Sequence, residues 1–102
     1  MILLSPETSN RIRSVFPQAQ WQAVEALLLS ECGDNLPLVD SRLVELAERI
    51  RFAVLKCSGG DLNLLKHWIA ESKKDWRDTL MAAGFGKSIT AHLSWYPNSE
   101  PT

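Results

Sequence analysis

The sequence has few of the residues that mark metal sites, disulfide scaffolds and redox centres. It contains two cysteines, Cys32 and Cys57, which lie far apart and form no C-x-x-C pair. Zinc sites and thioredoxin-type centres therefore lack their usual motif, and small secreted domains stapled by disulfides carry more cysteines. We expect both cysteines to be reduced and to pack as small apolar residues near helix ends.

An excess of charge and a long apolar run are also missing. The net charge is −1 at pH 7, whereas dedicated nucleic-acid binders usually show a basic excess because phosphate contacts supply much of their affinity. No run approaches the roughly 18 apolar residues that suggest a membrane span, and the N-terminus lacks the positive region of a signal peptide. We therefore expect a cytoplasmic protein with no membrane partner, and nucleic acid is disfavoured as a partner.

What is present suits one globular domain. Hydrophobic residues make up 45% and charged residues 23% of the 102 residues, which is enough apolar material for a single core without metal or disulfide support. We expect one helical domain over 1–96 and a frayed C-terminal tail over 97–102.

Helix start and stop signals divide the first half of the chain. Three helices are predicted there: one from Ser5 to before Pro17, one over 18–32, and one from Asp40 or Ser41 to about 57. Ser5 and Pro6 are typical of the N-cap and first helical positions, and Gly33 is expected to stop the second helix as its C′ residue. The apolar residues at 2–4 are expected to pack against the main core.

The second half is organised around a helical hairpin. Gly59 and Gly60 permit a left-handed turn and Asp61 is a strong N-cap, so the flanking helices should be antiparallel neighbours. The stretch over 62–83 is either one long helix or two helices, and a break near 72–75 is favoured because the S-K-K-D sequence there resembles a capping box.

Two further elements are predicted after this stretch. Gly84 and Gly86 should end it, with Phe85 folded back onto the helix. A short helix capped by Ser88 is then expected over 88–96.

Chemical motifs are weak. His67 and His92 have no second ligand at metal-binding spacing, and Asp75 and Asp78 suit the first turn of a helix, where acids are expected. No phosphate-binding loop or nucleophile elbow is present. We therefore expect no catalytic residue, no metal and no cofactor, and predict that the protein is not an enzyme.

The strongest functional signal is Phe52. The apolar stripe of its helix points inward through residues such as Leu43 and Leu46, and at 100° per residue Phe52 lies almost opposite, among charged residues. Either Phe52 is an exposed anchor, of the kind that interfaces favour, or another helix, for instance the N-terminal segment, covers it within the chain. The candidate interface comprises Phe52, Arg49, Lys56 and Leu64.

The sequence thus predicts an all-α fold, a compact bundle of four to five short helices around a central antiparallel hairpin. The leading functional hypothesis is a protein–protein interaction module that binds a protein partner or a second copy of itself, as a homodimer. The alternative is a small regulatory protein that contacts nucleic acid through the weakly basic helix that carries Arg42, Arg49, Arg51 and Lys56.

Overall fold

The fold is all-α, as the sequence predicts. The computed structural model describes residues 2–33, 43–88 and 90–95. Within this part of the chain lie four α-helices: α1 (Pro6–Val15), α2 (Trp21–Glu31), α3 (Leu43–Ser58) and α4 (Leu62–Ala82). Short 3-10 helices precede α2 at Gln18–Gln20 and follow α4 at Ala91–Ser94. The predicted cap at Asp40 or Ser41 and the tail at 97–102 lie outside the described residues.

Helix α1 begins and ends where local chemistry requires. Ser5 has an extended backbone and its side chain accepts a hydrogen bond from the Thr8 N–H at 3.1 Å, while Pro6 occupies the first turn. The helix stops at Val15, and Phe16 is extended ahead of Pro17, because the residue before a proline is pushed out of the helical region.

The α3–α4 hairpin is the centre of the bundle. Gly59 and Gly60 have φ values of +58° and +88°, a left-handed conformation that glycine adopts without steric cost. A Cβ at Gly60 would lie 2.7 Å from the Val15 carbonyl oxygen, so the end of α1 packs directly against this turn. Asp61 accepts hydrogen bonds from the Asn63 and Leu64 N–H groups and caps α4. The predicted antiparallel hairpin is confirmed.

Helix α4 bends at Asp75. The backbone of this residue is extended (φ −156°, ψ 98°), and its carboxylate accepts a hydrogen bond from the Arg77 N–H at 3.1 Å, as an N-cap does. Across the bend, the Ser72 hydroxyl lies 2.9 Å from the Thr79 hydroxyl, and both side chains are fully buried. The predicted break is confirmed, and this buried hydroxyl pair joins its two halves.

The end of α4 is a Schellman motif. Gly84 has φ +81°, the Phe85 N–H donates to the Leu80 carbonyl at 2.8 Å, and the Gly84 N–H donates to the Met81 carbonyl at 3.0 Å. This pair of bonds satisfies two of the last helix carbonyls and turns Phe85 back into the core, where it is buried. The sequence predicted this fold-back of Phe85.

Two predicted features differ in the structure. Gly33 does not adopt a left-handed conformation; it is glycine where space is short, since a Cβ there would lie 2.9 Å from Arg51 Nη2. The predicted helix over 88–96 is only the short 3-10 helix Ala91–Ser94, with Ile89 and Tyr96 outside the described residues.

Cys32 and Cys57 are free, as expected. None of the helices described is long and apolar enough to cross a bilayer.

Candidate functional site

Phe52 is a core residue, so its predicted role as an exposed anchor is wrong. The side chain is fully buried. The Arg11 guanidinium lies 4.9 Å from its ring centroid, and the rings of His92 and Trp95 meet it at 4.9 and 6.3 Å. Helix α1 and the C-terminal segment, residues 91–95, therefore cover the Phe52 side of α3. The alternative, that the chain itself covers Phe52, is confirmed.

Arg49 and Lys56 tie α3 to the end of α4. Arg49 Nη2 donates to the carbonyls of Phe85 and Ser88 at 3.2 and 3.3 Å. Lys56 Nζ donates to the Ala83 carbonyl at 2.8 Å and lies 5.0 Å from the Phe85 ring centroid. Cations near a helix C-terminus satisfy its last carbonyls and interact favourably with the helix dipole. These contacts give both side chains a structural role in the fold.

Arg51 is almost completely buried, with 1% of its surface exposed. Its guanidinium donates to four backbone carbonyls, those of Ile2, Leu3, Leu28 and Cys32, at 2.6 to 3.2 Å. A guanidinium in this position cannot reach a phosphate at the surface. Arg42, the first residue of the proposed basic set, lies outside the described residues. Among the described basic residues of α3, Arg51 is therefore unable to contact a nucleic acid.

Leu64, by contrast, points outward as predicted and is 45% exposed. It is one of several large apolar side chains at the surface of the described chain, the others being Leu3, Val44, Met81 and Leu93. Scattered exposed apolar side chains are normal. Leu3 and Val44 differ from the other three exposed residues because both line the same pocket.

Leu3 and Val44 lie at the mouth of a pocket of about 110 Å³ between the start of the chain and the start of α3. They are 76% and 65% exposed. We call this feature the N-terminal pocket; its lining includes Ile2, Leu3, Ser5, Val44, Glu45 and Glu48. The expectation that the apolar residues at 2–4 pack into the core fails for Leu3, because Arg51 fixes the local backbone with Ile2 inward and Leu3 outward.

Glu48 connects the N-terminal pocket with the C-terminal segment. One carboxylate oxygen accepts a hydrogen bond from the Ser5 hydroxyl at 2.5 Å, and the other lies 3.4 Å from His92 Nε2. A serine nucleophile needs a base such as histidine on its hydroxyl, whereas here the carboxylate lies between Ser5 and His92. The arrangement therefore gives no support to a serine-type active site.

His92 is buried, with 4% of its surface exposed. Burial lowers the pKa of its imidazole below the ordinary 6.5, although the hydrogen bond and negative charge of Glu48 act in the opposite direction. Nδ1 has no hydrogen-bond partner among the described residues. Since Nε2 faces a carboxylate, the neutral ring carries its proton on Nε2 and leaves Nδ1 as a bare acceptor.

No cluster of three potential metal ligands occurs among residues 2–33, 43–88 and 90–95. Comparison of the chain with protein families, with curated proteins and with solved structures found no match. A proposal about function therefore rests on the geometry of this molecule alone.

The sequence does not directly indicate which residues build the N-terminal pocket or form the hydrogen bonds of Glu48. In the sequence, Ser5 is typical of a helix cap, and Glu48 is one of the charged residues on the same side of the helix as Phe52. Their meeting depends on contacts between the start of the chain and the middle of α3, which no local pattern encodes. The one feature of the sequence that points to the pocket is the apolar run that includes Leu3, directly before a helix cap.

The two cysteines should differ sharply in reactivity. Burial raises the pKa of the Cys32 thiol from 9.0 to about 12, and burial also raises the pKa of Cys57, which is only half-buried. The thiolate is the reactive form, and three pKa units reduce its population about a thousandfold. We expect iodoacetamide to label Cys57 first in the native chain, and Cys32 only on unfolding, as measured by mass spectrometry. Equal native labelling rates would contradict the buried placement of Cys32.

Proposed function

We propose that the protein is a small non-enzymatic interaction module that binds another protein through the N-terminal pocket. The observation that carries the proposal is the position of Leu3 and Val44, two strongly exposed apolar side chains at the mouth of one concave site. Interface centres favour apolar contact around pockets that accept an anchor side chain. Burying both side chains would contribute about 1.5–3 kcal/mol each before the costs of association.

The rim of the pocket indicates the charge of the partner. Glu45 is exposed and Glu48 is partly exposed, while Arg51, the cation in the lining, is almost completely buried. A second copy of the chain would bring the same carboxylates to the interface. A segment with an apolar anchor beside a lysine or arginine would instead complement them. The charge pattern thus favours a basic, amphipathic partner over self-association.

Selection from a random displayed-peptide library tests the proposal. We expect peptides enriched on the wild-type chain to combine an apolar anchor with basic residues, and to bind Leu3→Asp and Val44→Asp at least about tenfold more weakly, a loss of 1.4 kcal/mol or more. Met81→Asp is the matched control, since Met81 is 72% exposed away from the pocket. Leu3→Asp and Val44→Asp should leave stability within about 0.5 kcal/mol, and Met81→Asp, in the last turn of α4, should cost at most about 1 kcal/mol.

The outcomes separate the two forms of interaction. A concentration-dependent mass in light scattering that Leu3→Asp abolishes would support self-association through the same pocket. Peptides that bind Val44→Asp as well as wild type would show that the pocket is not the binding site. A chain that selects no peptide and stays monomeric would overturn the proposal.

A further inference from the structure

We propose that His92 is an acid-responsive latch, such that protonation of its buried imidazole releases the C-terminal 3-10 helix and uncovers an aromatic face formed by Phe52 and Phe85. This inference is independent of the proposed function. It rests on the packing of the ring, on the charges around it and on the hydrogen bonds that hold the segment.

The imidazole packs between aromatic rings of the bundle. Its centroid lies 4.9 Å from that of Phe52, with the two planes nearly perpendicular, and 6.4 Å from that of Phe85. Trp95 contacts the same two rings, at 6.3 and 6.1 Å. His92 and Trp95 together therefore cover Phe52 and Phe85, and removing the segment would expose them to water.

The surroundings of the ring disfavour a positive charge. Helix α3 places Glu48 and Arg49 near it, and α1 places Arg11 near it. Glu48 attracts the imidazolium, but it already accepts a hydrogen bond from Ser5, and its approach to Nε2 is long at 3.4 Å. A proton added to Nδ1 would be a buried donor with no acceptor among the described residues. A buried donor without a partner is destabilising, and more so when it is charged.

Besides the ring packing, hydrogen bonds from one side chain of α1 hold the described residues of the segment in place. Arg11 donates from Nε to the Trp95 carbonyl at 3.0 Å and from Nη2 to the Leu93 carbonyl at 3.2 Å. The Leu93 and Trp95 N–H groups donate within the segment, to the carbonyls of Thr90 and His92. A short element held by a few side chains opens locally at lower free energy than the helical core unfolds. Opening of this segment therefore need not unfold the bundle.

The direction of the pH effect follows from linkage. In the closed segment, burial holds the pKa of His92 below 6.5, whereas a released, hydrated imidazole returns to about 6.5. The open form therefore binds more protons, and the closed form is fully favoured only above about pH 6.5. As pH falls below this value, the closed form loses stability until the pKa of the closed state is passed.

Amide hydrogen exchange of the full chain tests the latch. We compare residues 91–95 with α3 at about pH 7.5 and about pH 5.5, above the range in which glutamates titrate, after correction for intrinsic exchange. In the wild type, protection of 91–95 should fall at the lower pH by up to about tenfold, the limit set by the roughly one pH unit between about 5.5 and the open-form pKa of about 6.5, while α3 stays protected. His92→Gln, which cannot become charged, should show no such loss.

His67→Gln is the matched control, because His67 is exposed on α4; it should behave as the wild type does. The latch is ruled out if 91–95 stay equally protected at both pH values, if His92→Gln loses the same protection, or if α3 opens together with the segment. If His92→Gln does not fold, an NMR titration of the His92 ring in the wild type tests the latch instead. A midpoint below that of the unfolded chain supports the latch, and an equal or higher midpoint contradicts it.

Discussion

Replacing Phe52 with alanine is expected to lower the free energy of unfolding by about 3–5 kcal/mol, the usual cost of deleting a buried aromatic ring. The ring is fully buried and touches α1 through Arg11 and the C-terminal segment through His92 and Trp95. Its loss would leave a cavity where three parts of the chain meet. The total free energy of unfolding of a small domain is only about 5–15 kcal/mol. Urea unfolding followed by circular dichroism should therefore show a large fall in the urea concentration at the midpoint.

Leu64→Ala provides the comparison for this substitution. Leu64 is 45% exposed on α4, so its truncation removes less buried surface and should cost well under half of the loss expected at Phe52. If Phe52→Ala unfolded at nearly the wild-type midpoint but altered the mass in light scattering, Phe52 would be a surface anchor after all. The two substitutions thus separate a core role from an interface role.

The features that the sequence predicted correctly share one property, namely that the residues next to each other in the chain determine them. Gly59 and Gly60 set the hairpin turn, Asp61 caps the helix that follows it, and Gly84 allows the Schellman ending. Each depends on a backbone angle or a hydrogen bond within a few residues. The positions of turns and caps can therefore be predicted from the sequence.

Two alternatives for Phe52 stay open in the sequence because a helical pattern gives only an angle. It shows that Phe52 points away from the main stripe of α3, but it does not show what lies on that side. Helix α1 and residues 91–95 lie there, and both are distant in sequence. In a small bundle, the central helix is contacted on several sides, so a residue opposite the main stripe is often buried too.

The roles of the basic residues depend on equally distant partners. Arg49 and Lys56 resemble a solvated flank in the sequence, yet they meet the carbonyls at the end of α4. Helix ends leave carbonyls without partners inside the helix, and only the three-dimensional arrangement shows which cation reaches them. The N-terminal pocket was unpredictable for the same reason, since it forms where the first residues meet α3.

Replacing Arg51 with methionine is expected to cost about 3–5 kcal/mol, comparable to the loss at Phe52, although methionine fills much of the same volume. The guanidinium donates to four carbonyls from two separate segments. Removing one partner of a buried charged contact leaves the other groups desolvated. The substitution should also release the carbonyls of Ile2 and Leu3, so protease cleavage near the N-terminus should accelerate more than cleavage elsewhere.

Two further variants define what Arg51 contributes. Arg51→Lys keeps the charge but loses the planar fork that reaches several acceptors at once, so its stability should lie between those of wild type and Arg51→Met. Arg77→Met is the control for loss of an arginine, since the Arg77 side chain is 73% exposed and its effect should be within about 0.5 kcal/mol. Equal urea midpoints for Arg51→Met and wild type would show that the four carbonyl contacts do not hold the N-terminal segment. A large loss with Arg51→Lys as well would show that the fork geometry matters more than the charge, because one ammonium group cannot replace donors aimed at both segments.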